Sequence, residues 1–452
     1  MPLLDLLFRW PAMQEQFSDS ATIGAMLRFE AALAKAEANA GVIPKSAADA
    51  ITAVCKPDQF ALVSLQQAAA KSGNLAIPLV HQLSERVAVR DAAAARYVHW
   101  GATSQDASDT ATVLQLRSAL DLLESELGRL TNQLATLARK HRTTPITGRT
   151  WLQHALPTTF GFVVAGWLDA LLRCESQLST LRETSLALQF GGAVGTLAAL
   201  GDKADAVSRH LADELNLALP DIPWHSLRDR FSVIGTTLGI LAGTLGKIAR
   251  DISLYTQTEV QEVFEPFEPG RGGSSSMPHK RNPVSCAAIL ASSIRVPSLV
   301  ATILAAMPQE YQRGLGGWQA EWETLPEIVQ LTAGSLHGLA NIAPGLEVDT
   351  IRMRSNLEVS HGLIFAEAVS VSLAPTLGKQ RAHELVEGAS HRAKQSKIHL
   401  KDALLALGEV NAILSPQDLE RLFDPTQYLG TATQSVDRVL ARYESIASSR
   451  KA

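Results

Sequence analysis

The stretch Gly270-Arg271-Gly272-Gly273-Ser274-Ser275-Ser276-Met277-Pro278-His279-Lys280-Arg281-Asn282-Pro283 sets three glycines, three serines and two prolines beside an ammonium, two guanidinium groups and an amide. Glycine and proline at that density cannot sustain a helix, so the stretch is a loop. Backbone amides and hydroxyls in a Gly/Ser turn, with Lys280 and Asn282 next to them, form a nest for a carboxylate, and the glycines leave the turn free to close over it. Two readings stand at this point, an anion-binding lid and a flexible linker. The fixed offsets of hydroxyl run, ammonium and amide favour the lid.

Other familiar chemistries are missing from the chain. It has no G-x-x-x-x-G-K-[ST], no G-x-G-x-x-G following a strand and no H-E-x-x-H. His383, Glu387 and His391 fall at i, i+4 and i+8 on one helical face. That spacing suits either a metal or solvent, and the polar amphipathic segment around it favours solvent.

The elements that must hold the loop are helices. From Phe231 to Ala249 the chain reads FSVIGTTLGILAGTLGKIA, and Ile234, Leu238, Leu241, Leu245, Ile248, Ile252 and Tyr255 alternate steps of four and three. The pattern continues through Lys247, Arg250 and Asp251, which marks a buried bundle helix and not a membrane span. Gly235, Gly239, Gly243 and Gly246 cost helix propensity, which predicts neighbouring helices at close approach. A second rod starts near Ser108-Asp109 and carries Val113, Leu116, Leu120, Leu123, Leu127, Leu130, Leu134 and Leu137 over roughly thirty residues, about 45 Å. Further helices are expected after the Ser18-Asp19-Ser20 cap, from Phe160 to Gln189, and from about Pro283 to Met307. Shorter helices follow Glu347, and strand signals are scarce. The expected fold is all-α with three helical domains: residues 1–107, a central long-helix bundle 108–346 carrying the loop 270–283, and a C-terminal helical domain 347–452.

Charge and cysteine content narrow the function. Lys and Arg number 41 against 45 Asp and Glu, scattered singly, so no polybasic track for nucleic acid or anionic lipid exists. A small-molecule substrate is expected. Cys55, Cys174 and Cys286 show no C-x-x-C spacing, which argues against a disulfide framework and a zinc site and fits a reducing cytoplasm. The opening MPLLDLLFRWPAM lacks a basic segment ahead of its apolar residues and does not read as a signal peptide.

The loop matches G-S-x-x-M-x-x-K-x-N, a motif of the fumarase/aspartase superfamily, at Gly273, Ser274, Met277, Lys280 and Asn282. His99-Trp100-Gly101-Ala102-Thr103-Ser104-Gln105-Asp106 resembles that superfamily's first region, H-x-G-x-T-S-x-D. Gly148-Arg149-Thr150-Trp151-Leu152-Gln153-His154-Ala155-Leu156-Pro157 resembles its second, G-R-T-H-x-Q-x-A-x-P. Order and spacing agree, so the resemblance covers most of the chain.

That resemblance implies a homotetramer built on a multi-helix core, with three regions from three subunits meeting at each active site. It also implies a small polycarboxylate substrate, no membrane or nucleic-acid partner, and no metal or organic cofactor. The shared chemistry takes a proton from the carbon beside a carboxylate and expels a group from the next carbon, or the reverse, through a carboxylate-stabilised carbanion. Position by position, Ser274 matches the base on the α-carbon and His99 a catalytic-site histidine. Thr103, Ser104 and Gln153 match polar substrate contacts, and Lys280 and Asn282 match carboxylate binders. Arg313 is either a further anion contact or a helix-surface arginine, and Arg149 either a carboxylate contact or a brace for its turn.

Trp151 departs from the pattern, standing where many lyases of the superfamily carry histidine. An indole relays no proton, so the usual acid for an amine or nucleotide leaving group is missing; His154 is either a substitute or structural. A lactonisation needs no such acid, because an internal carboxylate, already ionised, adds to a double bond conjugated with another carboxylate. Phe29–Pro44, Tyr311–Ile328 and Gly362–Val386 also resemble the bacterial cycloisomerases of the superfamily. Two other readings are a fumarate-releasing lyase resembling adenylosuccinate lyase, and an inactive structural relative. The second conflicts with an intact Ser274, Lys280 and Asn282.

Overall fold

The computed structural model describes residues 3–273, 276–277 and 279–450. Helix α1 (Asp19–Asn39) begins where Ser18 Oγ accepts the Ala21 amide at 3.1 Å, and Gly41, at φ +72°, ends that run before Pro44 opens α2 (Lys45–Val54). The 37-residue α3 (Ser104–Lys140) follows, about 55 Å long at the usual rise per residue. A hairpin, β1 (Pro145–Thr150) and β2 (Gln153–Thr159), leads into α4 (Phe160–Thr184). Next come α5 (Asp229–Tyr255), β3 (Val263–Phe264), α6 (Val284–Ala305) and α7 (Gly317–Ile342). Strand β4 (Glu347–Val348) pairs antiparallel with β3. The chain ends in shorter helices that include α8 (Thr350–Leu357), α9 (Ala366–Leu377), α10 (Lys379–Ser396) and α11 (Ala432–Ser449).

The chain packs as two compact units, one of residues 1–127, 174–246 and 288–337, the other of residues 128–173, 247–287 and 338–452. Each of α3, α4, α5, α6 and α7 starts in one unit and ends in the other. The core of the first unit gathers Ile23, Leu27, Phe29, Leu33, Leu79, Leu83, Leu114 and Leu211, and that of the second includes Phe365, Val369, Leu373, Val386 and Leu404.

The mainly helical class expected from sequence is what folds, and the two heptad stripes are its inside faces. On α3, Val113, Leu116, Leu120, Leu123, Leu127, Leu130 and Leu134 are buried, as are Ile234, Leu238, Leu241, Leu245, Ile248 and Ile252 on α5. Close approach explains the glycines of α5 in part: a Cβ at Gly246 would lie 2.6 Å from the Ser293 side chain of α6. By length and apolar content α5 and α6 both pass for membrane spans, and more than half of the apolar window of α5 is buried inside the protein. The run expected from Phe160 to Gln189 stops at Thr184, because Leu188 donates its amide to Ala218 O and Gln189 exchanges bonds with Thr110.

Two differences from the sequence expectation affect the site. Helix α3 starts four residues before Ser108, which puts Ser104 in its first turn. The second motif region, for which the scarce strand signals gave no element, is the β1–β2 hairpin, paired from Pro145↔Thr159 to Thr150↔Gln153 with an irregularity between Thr147 and Arg149. Gly148 is demanded there, since a Cβ would stand 2.6 Å from Leu156 O across the hairpin.

Candidate active site

The first motif region forms the entrance to α3. Half-buried Arg313 donates from Nη1 to Thr103 Oγ1 at 2.8 Å, from Nη2 to Ser104 Oγ at 3.3 Å and from Nε to Gln105 Oε1 at 3.3 Å. All three acceptors are neutral, and among the described residues no carboxylate lies within ion-pair distance of this guanidinium. A positive group with its charge uncompensated therefore sits at the N-terminus of a long helix, beside two hydroxyls, where an anion is favoured. Arg313 is thus a contact of the motif and not a solvent-facing helix residue.

Asp106, fully buried, makes this entrance rigid. Its Oδ1 accepts from His225 Nε2 at 2.7 Å, Gly191 N at 3.0 Å and Gln189 Nε2 at 3.1 Å; its Oδ2 accepts from Gly192 N at 2.9 Å and Thr103 N at 3.0 Å. Five donors on one carboxylate repay its desolvation and tie the Thr103 backbone to the loop at 189–192. One turn on, Asp109 and Glu321 clamp buried Arg228 through Nη1 at 2.7 Å and Nη2 at 2.5 Å. Trp318 Nε1 adds a bond to Asp109 Oδ1 at 2.9 Å, which anchors the chain five residues after Arg313. None of Asp106, Asp109, Arg228 and Glu321 was singled out by motif reasoning as a functional residue. The sequence signal for Asp106 is its place at the third helical position, three residues after Thr103.

His99 precedes this entrance. Its φ is +59°, a conformation rare outside glycine, and its Nδ1 lies 2.6 Å from Glu30 Oε1. Burial pulls the His99 pKa down, but the charge and hydrogen bond of Glu30, with Asp106 behind it, outweigh burial and hold it above its ordinary value.

The second region is the hairpin. Trp151 and Leu152 are its two turn residues, at φ +51° and +65°, the condition of a type I′ turn that usually falls to Asn-Gly. The tip is almost bare, Trp151 95% and Leu152 81% exposed, so an apolar indole is displayed where burial within the chain would be expected. Gln153 is exposed beside it. Arg149, two residues before the tip, is engaged by Glu262 through two 2.8 Å bonds, while Asn356 Nδ2 donates to the same carboxylate at 2.7 Å. Both guanidinium nitrogens facing Glu262 are taken, which favours the brace over the carboxylate contact. Half-buried His154 pairs with Arg149 across the hairpin, and burial, then the Arg149 charge, lowers its pKa, leaving a neutral imidazole.

The third region is the loop ahead of α6. Ser274, the expected base, lies outside the described residues. The base of the loop is closed: Gly273 bridges Arg281, Asn282 N and Nδ2 donate to Gly272 O at 2.9 and 3.0 Å, and a Cβ on Gly272 would lie 2.4 Å from Asn282 O. Glu265 caps α6 by accepting Cys286 N at 2.8 Å, and Arg281 is locked onto Glu347 at 2.7 Å, with its Nη2 also donating to Glu265 O. Lys280 is exposed, with no ion pair among the described residues. Arg281 and Asn282 thus pin the loop, and Lys280 presents its ammonium. His383 and His391, with Glu387, face solvent on α10, and no cluster able to hold a metal occurs among the described residues.

The chain resembles known proteins along nearly its whole length. The sequence model described as Lyase matches residues 8–298, and that of the adenylosuccinate lyase C-terminus matches residues 362–439. A 3-carboxy-cis,cis-muconate cycloisomerase of Bradyrhizobium diazoefficiens is 52% identical over 443 residues, covering 98% of this chain and 98% of the relative. One from Pseudomonas aeruginosa is 52% identical over 444 residues, covering 98% and 97%. The crystal structure of 3-carboxy-cis,cis-muconate lactonizing enzyme from Pseudomonas putida superposes with a TM-score of 0.95 at 50% identity, over 99% of this chain and all of that one.

Proposed function

The chain belongs to the lyase family, and we propose that within it the protein is a 3-carboxy-cis,cis-muconate cycloisomerase, converting that tricarboxylate to 4-carboxymuconolactone. It would serve protocatechuate breakdown through the β-ketoadipate pathway in the cytoplasm. The observation that carries the reading is Trp151 at the bare hairpin tip, the position at which the motif of many C–N and C–O lyases of the superfamily carries a histidine. Ring closure needs no protonated leaving group, since the attacking carboxylate is ionised near neutrality and is its own leaving group in reverse.

In this reading one carboxylate of the substrate lies at the α3 entrance on Thr103, Ser104 and Arg313, with Gln153 as a further polar contact. Lys280 and Asn282 act at the loop, where Lys280 meets a second carboxylate. Attack of the internal carboxylate forms the C–O bond and moves the π electrons onto the carbon beside a carboxylate, whose oxygens take up the charge. The Ser274 hydroxyl returns the proton to that carbon, and a nest of amides stabilises the resulting alkoxide. His99 is the second catalytic residue. Trp151 covers the reacting carbons with an apolar face. No metal or organic cofactor has a part.

The homotetramer belongs to the same proposal. Val233 and Ile240 on α5 and Ile294 and Leu304 on α6 are 45 to 70% exposed, apolar faces that subunit contact would cover. Division into residues 1–107, 108–346 and 347–452 is proposed as the functional partition, with the motif regions ahead of and inside the middle part.

The test is a spectrophotometric assay of purified protein on 3-carboxy-cis,cis-muconate and on adenylosuccinate. Turnover of the first only is expected, lost in Ser274→Ala. Absence of that turnover, or preference for adenylosuccinate, sinks the reading.

A further inference from the structure

Behind the α3 entrance lies an acidic pair that the reaction above does not use. Glu30 and Glu37, two helical turns apart on α1, are 1% and 0% exposed within the apolar core of their unit. Glu30 Oε1 meets His99 Nδ1 at 2.6 Å, whereas among the described residues Glu30 Oε2 and both oxygens of Glu37 have no hydrogen-bond partner. Apolar residues in such positions would stabilise the fold better, because a buried carboxylate short of donors pays a desolvation cost that packing does not return. Stability therefore does not account for Glu30, and its one partner points to His99.

The charges acting on the pair come from three elements. On α1, Glu37 is pushed up to about 9, by burial first and by the Glu30 charge second, and is neutral at physiological pH. After α2, the Cys55 thiol is pushed up to about 12 by the same two causes and is neutral as well. At the start of α3, Asp106 reinforces Glu30 in favouring a charged His99. Lys35 on α1 pairs with Glu214 at the surface, 2.5 Å apart. Glu30 is thus the carboxylate that fixes the state of His99. With Nδ1 committed, Nε2 is the nitrogen left without a partner among the described residues. His99 also holds a positive φ, a strained backbone of the kind that persists where function requires it.

We propose that Glu30 is a positioning residue for His99: it orients the ring through Nδ1 and keeps it an imidazolium, so that Nε2–H donates a charge-assisted hydrogen bond to the substrate carboxylate that takes up the carbanion's charge. This rests on the cycloisomerase reading and deepens it, giving the site a cationic donor that strengthens as the reaction proceeds. His99 is then a donor and not a base.

The test follows kcat and KM against pH on 3-carboxy-cis,cis-muconate for the wild type, Glu30→Gln, Glu30→Asp, Glu37→Gln and His99→Gln. An imidazolium raised above its ordinary 6.5 is present below its folded pKa and lost as pH rises through it, so kcat of the wild type falls on the basic side of 6.5. That limb is expected to vanish in His99→Gln. In Glu30→Gln it moves to lower pH, with kcat down about ten- to a hundredfold and KM changed by less than about threefold. Glu30→Asp restores part of the rate, and Glu37→Gln, which mimics a group already neutral, keeps the wild-type profile. A limb that persists in His99→Gln overturns the proposal even when Glu30→Gln fails to fold. The His99 titration itself, read by NMR of isotope-labelled histidine in wild type and Glu30→Gln, needs no substrate, and identical titrations in the two overturn it. A wild type that leaves the substrate untouched sinks the cycloisomerase reading instead, and the titration still decides what Glu30 does.

Discussion

Arg313 and Asp106 show what a single residue contributes and how differently the two can be read from sequence. Arg313 spends three donors on neutral oxygens of the motif it serves and keeps its charge, an arrangement that organises Thr103 and Ser104 while leaving a cation for substrate. Arg313→Met is expected to raise KM by about ten- to a hundredfold, the scale of one hydrogen bond to a charged group, with the melting temperature lowered only slightly. Arg313→Lys should recover little, since an ammonium cannot span three acceptors in a fork. An unchanged KM in steady-state kinetics would mean that Arg313 only braces the helix entrance. Thr103, Ser104 and Arg313 were legible because their types match a family motif. Asp106 stood inside the same motif, yet four of its five donors come from residues 83 positions and more away and one from its own turn, and no local pattern announces them. Glu30 was legible still less, because a glutamate on a helix reads as solvated until the fold shows its oxygens buried.

At the scale of elements, the helices could be read and the hairpin could not. A three-four alternation sustained over α3 and α5 has few readings other than a bundle rod, and its residues are the buried ones. The hairpin carries no such signal, since its turn is Trp-Leu and the expected marker is Asn-Gly. Each of these residues pays for a left-handed backbone that glycine and asparagine adopt more easily, about 1–2 kcal/mol for an ordinary residue. Replacing Trp151-Leu152 by Asn-Gly should therefore raise the stability of the isolated protein by about 1–2 kcal/mol, read as a higher urea midpoint at constant slope. Activity should fall at least tenfold in the same variant, because the indole would no longer cover the reacting carbons. Gain of stability with full activity would place the tip outside the site; loss of stability would show that Trp151 packs against something other than solvent in the assembled protein.

For the whole molecule, the three motif regions divide between the two compact units, the first at the α3 entrance and the other two at the hairpin and the loop ahead of α6. Exposed Trp151 and, among the described residues, an Arg313 and a Lys280 without a carboxylate partner fit the proposal that each motif region is completed by a copy of the same chain. That idea separates from every single-chain account by complementation. Arg313→Met breaks the first region and Lys280→Met the third, and at a substrate concentration near the wild-type KM each homogeneous protein is expected to be nearly inactive. When the two are unfolded together, mixed in equal amounts and refolded, statistical assembly puts an intact first region and an intact third region at roughly a quarter of the sites, provided they come from different subunits. The rate recovered at that concentration should therefore approach a quarter of the wild-type rate, from sites of wild-type KM, and should depend on the mixing ratio with a maximum near equal amounts. If both regions came from one chain, every site in the mixture would carry one lesion and no activity would return, however well the subunits assembled.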